Sequence, residues 1–326
     1  MHILVTPNLP TSVRALVERS RPEGCTLEIV AASDPEYSAA LERADCLMGL
    51  PRARFDAAFF ARAPRLKLVQ LLRAGHELVD LTAAKAAGVS VATVGDATSS
   101  IVAEHCLMLM LALVRKLRWQ HQAVISDRWL VAKPWQLPSG DVDSVPEMVF
   151  EGLEGRTLGI LGLGEIGSRV ARLARAFGMK VQALARKPDE TTRGDVPVLA
   201  LAELLESSDV ISLHLRLSPE TKQILDERAF AQLRPGAFLV NTARGELVDE
   251  AALLAALNRG QLAGAALDTL SKEPPAIDHP LLHRDDVLLT PHTAWLTRDS
   301  WQRTFDMGFE NVRRFRANQV LRSLVV

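Results

Sequence analysis

Starting at Thr157 the chain reads Thr157-Leu-Gly-Ile-Leu-Gly162-Leu-Gly164-Glu165-Ile166-Gly167, an apolar run that opens through three spaced glycines into a helical pattern. A strand that turns this abruptly into a helix needs its first glycine for the tight turn. The second lets backbone approach a ligand, and the third lets helix and strand pack closely. The first amides of such a helix lack intrahelical acceptors and present the positive end of the helix dipole to an anion. Gly162, Gly164, Glu165, Ile166 and Gly167 are therefore the expected cradle of a dinucleotide pyrophosphate.

Short apolar runs alternate with amphipathic segments on both sides of this turn. Residues 157–161, 180–185, 210–215, 237–241, 263–267 and 287–289 read as six buried strands with helices between them, the pattern of a complete dinucleotide fold. Residues 3–6, 27–31, 46–50, 66–72 and 89–92 form a second series, separated in part by helical patterns at 12–20 and 81–87. The expected class is α/β, with two doubly wound parallel-sheet domains. Asp249 is placed to cap a helix over 250–257 that Gly260 ends. A proline-free helix is expected from about Ser100 to Arg118. Residues 119–150 are irregular and hold Trp119, Trp129 and Trp135. Two readings stand for them: an ordered arm against another subunit or the cleft, or a surface loop with anchoring aromatics.

Bulk properties exclude several classes. The 326 residues suffice for two cores. Lys plus Arg (38) and Asp plus Glu (39) nearly cancel, so the footprint of a nucleic-acid binder is missing. Cys25, Cys46 and Cys106 lack disulfide or zinc spacing, and read as free thiols in a reducing cytoplasm. The most apolar stretch, 106–114, is shorter than the roughly 20 residues that span a bilayer. The start, Met-His-Ile-Leu-Val-Thr, reads as a first strand rather than a secretory signal. A cytoplasmic protein that binds a small molecule, with no nucleic acid, membrane or metal involved, is the expectation.

The strand after the glycine turn bears on the dinucleotide. An NAD site usually ends this strand with an acid that binds the ribose 2′-hydroxyl. Here Ala185 stands in that place, followed by Arg186 and Lys187. Loss of the carboxylate removes repulsion toward a 2′-phosphate, and Arg186 can grip one through its planar fork. NADP is therefore expected over NAD; the other reading makes the two cations a solvated loop.

Three further polar segments follow expected strands: Asn241-Thr-Ala-Arg244-Gly-Glu, Leu267-Asp268-Thr-Leu-Ser-Lys-Glu273-Pro274 and Thr290-Pro-His292-Thr-Ala-Trp295. Ligands of open α/β sheets bind beyond the carboxyl ends of the strands, so these segments should converge there. Reduction of a 2-keto acid needs a hydride, a proton for the developing alkoxide and a cation for the carboxylate. His292 suits the proton, Glu273 can orient the ring and favour its protonated form, and Arg244 can polarise the carbonyl. Singly, each residue has an ordinary structural reading; in this order after a dinucleotide fold they point to chemistry.

With these motifs the chain resembles the D-isomer-specific 2-hydroxyacid dehydrogenase family, from the Leu72-Arg73-Ala74-Gly75 loop through the glycine turn to the last segment. The resemblance implies a substrate domain from both chain ends (1–99 and 292–326), flavodoxin-like, and a Rossmann domain at 100–291. It implies Arg244, Glu273 and His292 as the catalytic trio, with Arg244 also on the substrate. Leu215, Thr242 and Ala243 would lie along the cofactor and Asp268 near the nicotinamide amide. Arg73 and the backbone of Ala74 and Gly75 would take the substrate carboxylate, and the protein would be a homodimer. Departures are Ala185, Arg216 where a proline is common, and His76-Glu77 in the substrate loop. No regulatory domain is expected after Val326, which disfavours a long-form phosphoglycerate dehydrogenase, and Trp295 after His292 is similar to glyoxylate and hydroxypyruvate reductases. The expected activity is hydride transfer between NAD(P)H and a small 2-keto acid such as glyoxylate or hydroxypyruvate. A dinucleotide-sensing binding protein, corepressor-like, is the alternative; a same-fold enzyme acting on phosphite or formate finds no support in the residues.

Overall fold

The computed structural model of the protein describes residues 1–51, 53–126, 150–185, 187 and 190–326. Arg186, Trp129 and Trp135 lie outside the described residues. The chain divides into two compact units, Met1–Thr98 with Leu296–Val326, and Ser99–Trp295.

In the first unit β1 (His2–Val5), α1 (Thr11–Ser20), β2 (Thr26–Ile29), α2 (Tyr37–Arg43), β3 (Cys46–Gly49), α3 (Ala57–Ala61), β4 (Leu68–Leu71), α4 (Leu81–Ala86) and β5 (Ser90–Ala92) follow one another. The strands make a parallel sheet in the order β2-β1-β3-β4-β5, the flavodoxin-like arrangement. β1, β3 and β4 are buried almost throughout, which is why they read as continuous apolar runs rather than alternating ones.

The second unit begins with α5 (Ser99–Val114) and α6 (Leu117–Ile125). It continues through β6 (Thr157–Leu161), α7 (Glu165–Ala176), β7 (Lys180–Leu184), β8 (Thr192–Arg193), β9 (Val196–Leu199), α8 (Leu201–Ser207) and β10 (Val210–Leu213). Then come α9 (Glu227–Gln232), β11 (Ala237–Asn241), α10 (Glu250–Asn258), β12 (Leu262–Leu267) and β13 (Val287–Leu289). The sheet order is β13-β12-β11-β10-β6-β7-β9-β8, parallel except for the β8–β9 pair. Strand order therefore reverses between β6 and β10, the switch point where such sheets bind ligands. The last helix, α11 (Arg298–Arg316), belongs to the first unit, where it packs on α1 and β4.

Three parts of the chain differ from the sequence expectation: the helix over 100–118 is broken, α6 runs on to Ile125 through a stretch expected to be irregular, and β8 and β9 stand where no strand is expected. The single helix expected over 100–118 is two, because Lys116 adopts the left-handed conformation (φ 48°) and ends α5 without a glycine or proline to announce it. β8 and β9 lie between the strands expected at 180–185 and 210–215; in β9 the Pro197 side chain is exposed, and Val196 and Val198 on either side are buried. Asp249 caps α10 as anticipated, accepting from the Ala251 and Ala252 amides.

Candidate active site

Each glycine of the turn after β6 answers a different steric demand. Gly162 has φ 107°, and a Cβ there would lie 2.7 Å from the His214 carbonyl and 2.8 Å from the Leu215 amide nitrogen. A Cβ on Gly167 would lie 2.1 Å from the Gly162 oxygen, so only glycine lets α7 start this close to the strand. A Cβ on Gly164 would meet nothing within 4 Å; this is the open side of the turn. Gly164 forms the N-cap of α7, and its carbonyl takes the first helical bond, from the Ser168 amide. Amides of a helical first turn beside open space are what a pyrophosphate requires, and the turn fits a dinucleotide. Glu165 points to solvent, pairing loosely with Arg169 (3.9 Å), whereas Ile166 packs into the core between α7 and the sheet.

Behind the turn, the His214 imidazole is 2.8 Å from the Ser212 hydroxyl, which in turn sits 3.2 Å from the Cys106 thiol on α5. Burial pushes His214 down to about 4 and Cys106 up to about 11. Leu215, the next residue, packs against the opposite core. At the end of β7, Ala185 is half-buried and Lys187 exposed.

The other polar candidates leave the C-terminal ends of the neighbouring strands β11, β12 and β13. Thr242 is buried and Ala243 partly so. The Asn241 side chain, 1% exposed, accepts from the Ala243 amide (2.9 Å) and donates to the Arg244 carbonyl (2.8 Å). It folds the chain back on itself and fixes the backbone from which Arg244 projects. The Arg244 guanidinium donates to the Ala243 carbonyl at 2.7 Å. Its neighbour Gly245 opens a 3₁₀ turn, Gly245–Leu247, on which the Leu270–Ser271 backbone rests; a Cβ there would lie 2.0 Å from the Leu270 carbonyl carbon.

Glu273 and His292 meet directly: the Nδ1–H of His292 donates to Glu273 Oε2 at 2.7 Å, the carboxylate being able only to accept. The other carboxylate oxygen of Glu273 takes the Leu270 amide at 3.0 Å. Their side chains remain 41% and 37% exposed. His292 holds φ 55°, a conformation uncommon for a non-glycine residue, so something must impose it. Asp268 does so. Its carbonyl accepts the His292 amide (2.8 Å), and its carboxylate, 2% exposed, accepts from the Thr290 hydroxyl (2.6 Å) and from the Thr293 and Ala294 amides (both 2.9 Å). His105 on α5 reaches the Thr290 hydroxyl at 3.1 Å, and burial holds its imidazole below the usual histidine range.

The structure thus brings Glu273 and His292 into contact and sets Arg244 on the adjacent strand end. Arg73, Ala74 and Gly75 follow β4 in the first unit, where the Arg73 guanidinium donates to the Gly75 carbonyl (3.0 Å) and faces Glu77 (3.6 Å). Sequence reasoning missed Asn241, Gly245 and His105. A polar residue closing the apolar run before Arg244 was a usable sign of Asn241, whereas nothing local marked His105. Among the described residues no cluster of His, Cys, Asp or Glu could hold a metal ion, and no helix is long and apolar enough to cross a membrane.

A doubly wound sheet, a dinucleotide turn at its switch point and a histidine–carboxylate pair with an arginine at the strand ends define a nicotinamide-dependent oxidoreductase. Residues 107–294 match the family model "D-isomer specific 2-hydroxyacid dehydrogenase, NAD binding domain". A glyoxylate reductase of Aeropyrum pernix is 35% identical over 296 residues, 89% of this chain and 86% of that one. The crystal structure of a Thermus thermophilus protein superposes with TM-score 0.85 at 33% identity over the full length of both chains. An acyclic imino acid reductase in complex with NADPH and D-Arg superposes with TM-score 0.83 at 25% identity, also over both full lengths. The chain belongs to the D-isomer specific 2-hydroxyacid dehydrogenase family. It is an enzyme that passes hydride between a nicotinamide dinucleotide and a 2-hydroxy or 2-keto acid, and the sensing alternative is not favoured.

Proposed function

We propose that the enzyme reduces glyoxylate, and the related hydroxypyruvate, with NADPH, using His292 as the acid, Glu273 to orient it and Arg244 to bind the substrate. The observation that carries this reading is the 2.7 Å His292–Glu273 bond beside the Arg244 strand end. A dinucleotide held at the glycine turn would supply the hydride for the carbonyl carbon. As charge develops on the carbonyl oxygen, His292 delivers its Nε2 proton and Glu273 holds the ring through Nδ1. Arg244 sets two donors of its fork against carboxylate and carbonyl oxygens, polarising the bond that accepts hydride. Arg73 with the Ala74 and Gly75 amides takes the substrate carboxylate. The backbone of Gly162, Gly164, Glu165, Ile166 and Gly167 would hold the pyrophosphate, Leu215, Thr242 and Ala243 would flank the dinucleotide, and Asp268, which anchors the His292 loop, would border the nicotinamide.

NADPH is favoured because Ala185 offers no carboxylate to a ribose hydroxyl, and Arg186 and Lys187 supply positive charge. Glyoxylate is the substrate named for the Aeropyrum pernix relative. A homodimer fits the apolar side chains that α5 and α6 leave exposed: Met108, Leu117, Val124 and Ile125. The three buried free thiols suit the cytoplasm. A screen of small keto acids at fixed NADPH tests the reading: glyoxylate or hydroxypyruvate should be consumed fastest. Turnover confined to other keto acids, or none at all, would overturn it.

A further inference from the structure

Glu273 sits on a loop that the core does nothing to shape. From Ser271 to Asp278 no side chain is buried, and Ile277 is 89% exposed. The carboxylate must nevertheless meet His292 at 2.7 Å. An exposed loop without apolar anchors keeps its geometry through polar bonds or not at all. Two of those bonds converge on one side chain. Glu250, the first residue of α10, accepts the Ser271 amide on Oε1 at 2.7 Å and reaches His279 Nε2 with Oε2 at 3.2 Å. Ser271 and His279 bracket Glu273, so one carboxylate closes both ends of the loop that carries it.

The tautomer of His279 follows from its second contact. Nδ1 takes the Leu281 amide at 3.4 Å, so Nε2 bears the hydrogen and donates to Glu250. Glu250 itself is well placed, because Asp249 caps its helix and the helix follows the 3₁₀ turn at Gly245–Leu247. That turn is where the Leu270–Ser271 backbone rests on Gly245 with no room for a methyl group. The start of α10 and the two ends of the Glu273 loop form one polar-bonded block, packed against the backbone after Arg244.

We propose that Glu250 and His279 are positioning residues for Glu273: they clip the exposed loop at Ser271 and at His279, and so set the distance from Glu273 to His292. This rests on Glu273 acting through His292 as described above. Neither residue touches the reacting atoms, and their effect on turnover passes through Glu273 alone.

The test compares Glu250→Ala, His279→Leu and His279→Gln, each in the parent and in a Glu273→Gln background. The readouts are kcat with glyoxylate, the NADPH dissociation constant and Tm. Loss of one net hydrogen bond corresponds to a fall in kcat of about tenfold, expected for Glu250→Ala and His279→Leu with NADPH affinity unchanged. His279→Gln should retain most activity, because its amide N–H takes the place of Nε2–H. In the Glu273→Gln background the same substitutions should add nothing further. An equal loss in both backgrounds, or parental kcat in both Glu250→Ala and His279→Leu, would overturn the proposal. If Glu250→Ala does not fold, the two His279 variants decide alone. The Glu273→Gln single variant is the separate control: if it turns over like the parent, the catalytic reading falls and this inference with it, whereas a slow Glu273→Gln beside unaffected clip variants sinks only the inference.

Discussion

The glycine turn at 162–167 and the loops carrying Arg244, Glu273 and His292 are held in place by opposite means. The turn is fixed by what its residues lack: Gly162 and Gly167 sit where a Cβ would strike backbone at 2.7 and 2.1 Å. The loops are fixed by the polar side chains that bond to them. Asn241 shapes the Arg244 backbone, Asp268 imposes φ 55° on His292, and Glu250 with His279 brackets Glu273. Packed backbone does not yield, so the cofactor side should respond to added volume. Polar tethers carry geometry through bonding rather than packing, so the catalytic side should respond to changed bonding and leave cofactor binding intact.

The sharpest way to break this contrast is Gly167→Val. Overpacking against the Gly162 carbonyl should weaken NADPH binding by about a hundredfold and lower Tm. Fluorescence titration with NADPH checks it, and parental affinity would show that the turn is softer than its contacts suggest. Arg244→Lys probes the other side. An ammonium cannot reproduce the guanidinium fork, so kcat/KM for glyoxylate should fall about a hundredfold while NADPH affinity stays at the parental value. A loss of NADPH affinity in step with kcat/KM would erase the distinction between the two regions.

Acid should act on the buried region. His214, pushed down to about 4 by burial, has a folded pKa below its value of 6.5 in the open chain. Its contribution to stability is complete above about pH 6.5 and is lost as pH falls toward 4, up to about 3 kcal/mol. Denaturant titrations at several pH values should show this slope in the parent and a flatter one in His214→Gln. Identical slopes would remove His214 from the account. The smallest effect concerns the dinucleotide. NADPH should be preferred over NADH by about tenfold in kcat/KM, with Ala185→Asp combined with Arg186→Ala reversing the order. A parent that prefers NADH would mark the two cations as surface charge.

The same contrast explains what the sequence disclosed. The alternation of apolar runs and helical patterns is local, so both sheets could be read from it, and so could the glycine turn, whose spacing is its mechanism. Arg244, Glu273 and His292 stood out as polar residues just past apolar runs. Apart from Asn241, which is local to Arg244, their supports did not, because those bonds span long stretches of chain. Thr290 meets His105, 185 residues earlier, and Glu250 meets Ser271, 21 residues on. The break at Lys116 was hidden for another reason: a lysine in the left-handed conformation leaves no compositional trace.

On this reading His292 gives its proton to the substrate and takes no part in holding the dinucleotide. His292→Ala, assayed with glyoxylate and NADPH and titrated with NADPH in parallel, tests it most directly. In this variant kcat should fall by about two to four orders of magnitude while the NADPH dissociation constant stays at its parental value. Turnover close to the parent's, or a matching loss of NADPH affinity, would contradict it.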